Sequence, residues 1–120
     1  MISDSERDII ILRRLLKYCR DVKMLMEQFG ESYEQFGDNT AYQYSVSMAV
    51  FQAGELSNHL SDEFKQSHPD IPWNVIRGMR NLFAHQYYEM NIEVIWKTAL
   101  KDIPALAEFC EKVLADQNKN

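Results

Sequence analysis

The chain has 120 residues, 46% of them hydrophobic and 26% charged, with a formal net charge of −5. That length and balance give one globular domain with a core of its own, 1–120, and argue against a general nucleic-acid binder. Four Gly and three Pro are too few for the many tight turns of an all-β fold.

The first helix begins at a capping box, Ser3-x-x-Glu6. Leu12, Leu15, Cys19, Val22, Met26 and Phe29 alternate three and four apart, which is the seam of a bundle helix, and Gly30 suits its stop. Arg13, Lys17 and Arg20 share one face of this helix, either as a solvated surface or as a strip that steers phosphates. Residues 30–38 read as a connection with a short turn around Tyr33 and Phe36. A second helix starts at Asn39 or Thr40, with Val46, Ala49, Val50, Ala53, Leu56, Leu60 and Phe64 as its main stripe. Tyr44, Met48 and Phe51 form a second apolar set on roughly the opposite side, so this helix is covered twice, by its own bundle or by a partner chain. Glu55 extends that second set; buried, it needs an arginine such as Arg77 or Arg80, and otherwise it faces solvent.

Between Ser61 and Ile71 the periodicity breaks, and Pro69 and Pro72 enclose a turn. A third helix, with Pro72 suited to its first turn, carries Trp73, Val75, Ile76, Met79, Leu82 and Phe83 as its apolar positions, and Gly78 allows it a close helix contact. Asn91 caps a fourth helix with Ile92, Ile95, Trp96 and Ala99 inward. Asp102 caps a last one, with Pro104 in its first turn and Leu106, Phe109, Cys110, Val113 and Leu114 following. Residues 116–120 are polar and read as a frayed tail. The expected fold is all-α, an up-and-down bundle of four to five helices. Cys19 and Cys110 fit no metal spacing and read as buried thiols in a reducing cytoplasm. Neither a signal peptide nor a run of about 18 apolar residues is present, so the expected location is cytoplasmic.

The chemistry concentrates in Arg80-Asn81-Leu82-Phe83-Ala84-His85-Gln86-Tyr87. An always-charged guanidinium can hold the non-bridging oxygens of a phosphate, and an imidazole can act as base or acid near neutral pH. Positions five apart on a continuous helix point about 140° away from each other. Either the helix ends between Arg80 and His85, or the two meet through something outside the chain. A symmetric dimer would bring two copies of each to one cleft. The bland alternative is that Arg80 pairs with an acid such as Glu55 and His85 is a satisfied histidine at a helix end. His59 and His68 are weaker candidates, and no metal cluster, phosphate loop or nucleophile elbow is present.

The stretch from Arg80 to Tyr87 resembles the R-x-x-x-x-H-x-Y signature of the HepT-like HEPN ribonucleases, toxins of toxin–antitoxin pairs. Ala53-Gly54-Glu55, Pro69-Asp70-Ile71-Pro72-Trp73, Ile95-Trp96 and Asp102-Ile103-Pro104-Ala105-Leu106 stand in the order of that family's landmarks. The resemblance implies a homodimeric HEPN-like bundle with its active cleft at the dimer interface, cutting RNA without metal or cofactor. It makes Arg80 and His85 catalytic and Asn81 a supporting polar residue. It also implies a nucleotidyltransferase antitoxin that adds AMP to Tyr87, with the adjacent Tyr88 as the less favoured acceptor. Gln86 stands where acidic residues are common in such proteins. Arg13, Lys17, Arg20 and Arg77 are the candidate RNA contacts. The alternative, of a different class, is a non-catalytic helical dimer that binds a nucleotide or a partner protein.

Overall fold

Ser3 opens the first helix, its hydroxyl accepting from the Glu6 amide at 3.1 Å, and Gly30 closes it by donating to the Met26 carbonyl. Gly30 has φ 109°, a conformation that favours glycine, and a Cβ there would collide with the Gln35 side chain. The computed structural model describes the backbone of residues 2–84 and 91–118, and the side chains of these residues except 81–84 and 118. Within them run α1 (Asp4–Phe29), α2 (Tyr33–Gly37), α3 (Thr40–Asn58), α4 (Asp62–Ser67), α5 (Trp73–Ala84), α6 (Ile92–Leu100) and α7 (Asp102–Asn118). Five longer helices form the bundle, two short ones sit in its connections, and the described residues contain no strand. The fold is the expected all-α bundle. Among the described residues no helix is long and apolar enough to cross a membrane.

α1 and α3 run antiparallel, as the contacts at their two ends show. At one end the Tyr42 hydroxyl, near the start of α3, donates to the Gly30 carbonyl at 2.9 Å. At the other, Asp8 of α1 accepts from the backbone and side chain of Ser61, just past α3. α1 packs against α3 and α7, α5 and α6 pack on α3, and α6 also meets α7. The α1 seam (Leu12, Leu15, Cys19, Val22, Met26) is buried in one core with Val46, Ala49, Val50 and Ala53 of α3, Ile95, Trp96 and Ala99 of α6, and Ile103, Leu106 and Cys110 of α7. An aromatic cluster seals one end: Phe36 stacks on Trp96 at 5.1 Å and meets the Tyr42 ring edge-on at 5.0 Å.

The helix starts follow their caps. Asn39 accepts from the Tyr42 amide and Asn91 from the Val94 amide. Four expectations need correcting. α3 stops at Asn58 rather than carrying Leu60 and Phe64, because Ser61 is held by Asp8 and starts a helix of its own, α4, in which Phe64 lies. Val75 of α5 points outward at 52% exposure, and Ile76 and Met79 are the buried positions among the described side chains of this helix. A Cβ on Gly78 would touch nothing among the described residues, so no close helix contact is found there. The last helix continues through Asp116 to Asn118, since no Pro or Gly interrupts it after Pro104.

Candidate functional site around Arg80

α5 is set against α3 at one point of near contact. A Cβ on Gly54 would lie 2.8 Å from the Arg80 backbone nitrogen, 3.1 Å from Met79 Cβ and 3.3 Å from the Ile76 carbonyl oxygen. Only a residue without a side chain lets the two backbones come this close. One residue further on, Glu55 Oε1 lies 2.5 Å from Arg80 Nε. The Arg80 side chain remains 52% exposed and that of Glu55 29%. Glu55 is therefore neither buried nor free: it is a half-covered carboxylate paired with Arg80, one of the two arginines expected for it, and this is also the pairing of the bland alternative.

An ion pair this open to water adds little to stability. What it does is fix a direction. A guanidinium carries five donors in a rigid fork, and this pair closes on the Nε edge. Among the described residues no acid but Glu55 pairs with Arg80, which leaves its terminal nitrogens to a second acidic group, and a phosphate is matched to that geometry. Arg77, one turn before Arg80, is also exposed, so two guanidinium groups stand on the outer side of α5.

Asn81 lies in α5, its side chain outside the described residues, and His85, Gln86, Tyr87 and Tyr88 lie outside them altogether. The α1 strip is described in full. Arg13, Lys17 and Arg20 are exposed on one face, but Lys17 donates to Asp21 at 2.7 Å and Arg20 lies 3.6 Å from Glu111 of α7. α1 packs on α3 and α7, whereas Arg80 rides on α5, so Arg77 and not the strip is brought beside Arg80. His59 is exposed at the end of α3. His68 packs its ring against Phe64 and Phe109 at 4.6 and 5.0 Å, a structural setting. A groove of about 550 Å³ lies between α1 and the α6–α7 corner, floored by Cys19, Val22, Met26, Ala99 and Ile103 and away from Arg80.

Periodicity alone missed two features. Gly54 stands between the inward Ala53 and the charged Glu55, a place where a glycine costs helix stability and so asks for a reason. Asp8 lies on the inward face of α1, in register with Leu12 and Leu15, and a carboxylate there needs a partner. Both signals were present in the sequence.

The family model described as ribonuclease HepT-like matches residues 15–113. The chain belongs to that family. It is 35% identical over 91 residues to a protein of Thermococcus cleftensis whose name assigns it as a ribonuclease HepT, covering 74% of this chain and 83% of the relative. Two further relatives carry names that assign them as RNases. One, from Caldanaerobacter subterraneus subsp. tengcongensis, is 32% identical over 104 residues, covering 86% of this chain and 90% of its own. The other, from Methanocaldococcus jannaschii, is 28% identical over 110 residues, covering 91% and 99%. No solved structure matches the chain.

Proposed function

We propose that this protein is a metal-independent endoribonuclease that acts as a dimer, with Arg80 and His85 of both copies converging on one cleft. The observation that carries the reading is the exposed Arg80 fork at the head of the R-x-x-x-x-H-x-Y stretch, in a chain of a ribonuclease family. In the reaction the 2′-hydroxyl of a ribose attacks the adjacent phosphorus. The O2′–P bond forms, the P–O5′ bond breaks, a base takes the 2′-proton, and an acid supplies one to the departing 5′-oxygen. The products are a 2′,3′-cyclic phosphate and a 5′-hydroxyl. His85 from each copy supplies base and acid, Arg80 holds the phosphorane's non-bridging oxygens, and Asn81 supports them. Arg77 is the nearest further contact for the RNA backbone, and Arg13, Lys17 and Arg20 offer a more distant strip.

The dimer draws support from the outer face of α3. Tyr44 and Met48 are 61% and 54% exposed there, on the same side of the helix as Glu55, and a second copy would cover them. In the same reading the protein is a cytoplasmic toxin restrained by a nucleotidyltransferase antitoxin. That partner adds AMP to Tyr87, with Tyr88 as the lesser candidate, and a bulky anion at the cleft blocks RNA by occlusion and repulsion.

The test is cleavage of RNA in EDTA by wild type, Arg80→Ala and His85→Ala. Loss of about 100-fold or more in each variant is expected, from removal of phosphorane stabilisation or of acid–base catalysis. Unchanged cleavage in both would sink the assignment. Retained, Arg80-dependent binding of RNA or a nucleotide without any cleavage would point to a non-catalytic binding module instead. With the partner enzyme and ATP present, intact mass should rise by one AMP in wild type and not in Tyr87→Phe.

A further inference from the structure

We infer that Glu55 is a positioning residue for Arg80, aiming its terminal nitrogens at the scissile phosphate, with Gly54 setting the backbone from which the arginine projects. The inference rests on the phosphate-binding role proposed for Arg80, but its physical basis is independent of that role. Two adjacent residues of α3 constrain the same residue of α5. Gly54 fixes the Arg80 backbone, since a Cβ there would stand 2.8 Å from the Arg80 nitrogen. Glu55 fixes the other end of the side chain through Nε.

Electrostatics alone would not put a carboxylate here. A glutamate beside a phosphate-binding arginine lowers the local positive potential and repels the substrate. Its presence is accounted for by orientation. An arginine side chain with half its surface in water samples many rotamers, and fixing one costs side-chain entropy. Anchored at Nε, the guanidinium plane is held before RNA arrives, and its Nη edge is left to the phosphate. Glu55 therefore opposes ground-state binding and favours the oriented transition state.

These two effects separate in kinetics. Glu55→Ala should lower kcat by about 10- to 100-fold, the cost of a misplaced catalytic group, and leave KM for RNA unchanged or lower. Glu55→Gln, which keeps an acceptor oxygen without the charge, should recover part of the loss. Arg80→Ala, by contrast, should lower kcat and raise KM. A readout independent of catalysis is the Arg80 Nε–H resonance, identified by its disappearance in Arg80→Lys. In wild type it should exchange slowly with solvent, and in Glu55→Ala rapidly.

Unchanged Nε–H exchange in Glu55→Ala overturns the inference, as does unchanged kcat. A rise in KM matching that of Arg80→Ala also overturns it, because Glu55 would then be acting on RNA binding itself. If Arg80→Ala cleaves like wild type, the ribonuclease reading fails, and the exchange measurement alone still decides whether Glu55 holds the arginine.

Discussion

Asp8 is 5% exposed, and its two oxygens accept from the Ser61 amide at 2.9 Å and the Ser61 hydroxyl at 2.6 Å. Ser61 in turn caps α4 by accepting from the Phe64 amide, so one carboxylate on α1 fixes where α3 ends and α4 begins. Asp8→Ala leaves two donors without their partner in a half-covered site, and should cost about 1–3 kcal/mol. Urea unfolding measures it, and a loss below about 0.5 kcal/mol would refute the role. The thiols behave differently. Burial pushes the Cys110 thiol from its ordinary value of 9.0 up to about 12, with the Glu111 carboxylate adding to the effect; burial also pushes Cys19 up, with Cys110 adding. A group raised in the folded state binds more protons there than in the unfolded chain, so its contribution is whole below pH 9 and is lost as pH climbs towards 12. Wild type should therefore lose stability across that window more steeply than Cys110→Ala does, as urea midpoints at successive pH values would show. Equal slopes would mean the thiol titrates alike in both states. The burial of both cysteines was legible from their place in the apolar stripes; the Asp8 lock was not, because its partner is 53 residues away.

Gly54 decides how α5 lies on α3. Gly54→Ala would press a methyl group against backbone that cannot turn aside, so the helices must part or the chain must bend. The gain in helix propensity, about 1 kcal/mol, is outweighed by overpacking of about 1–3 kcal/mol, and a lower melting temperature is expected. A variant as stable as wild type would show that α5 can shift without cost. The helices themselves were readable because capping residues and apolar spacing agree at Ser3, Asn39 and Asn91. Their register was not. Spacing says which face of a helix turns inward, but not which residue of one helix stands opposite which of the next. That is why Gly78 looked like the contact glycine while Gly54 is, and why Val75 belongs to the apolar set yet points outward. Of the candidate site, spacing offers Glu55 either of two arginines or solvent, whereas the half-exposure of the Glu55–Arg80 pair depends on how α5 leans, which periodicity does not report.

In the single chain the outer face of α3 shows Tyr44 and Met48 to water beside an ion pair. If a second copy covers it, Met48→Lys should turn a dimer into a monomer at micromolar concentration, read by sedimentation, with loss of cleavage in parallel. A Met48→Lys protein that stays dimeric would move the interface elsewhere. The ion pairs on α1 have a separate consequence, for how RNA is gathered. Lys17, Arg20 and Arg80 each already hold an acid, the chain as a whole is negative, and Arg77 stands one turn from Arg80 on α5. Each neutralised phosphate of a single strand releases about 0.7 of a counterion, so Arg77 and Arg80 together give a log–log salt slope of only about −1.4 per protomer. If these two arginines are the RNA contacts, long-range attraction gathers little RNA and contact holds what fits. The protein should then keep cutting at ionic strengths that strip a basic RNA-binding protein from its target.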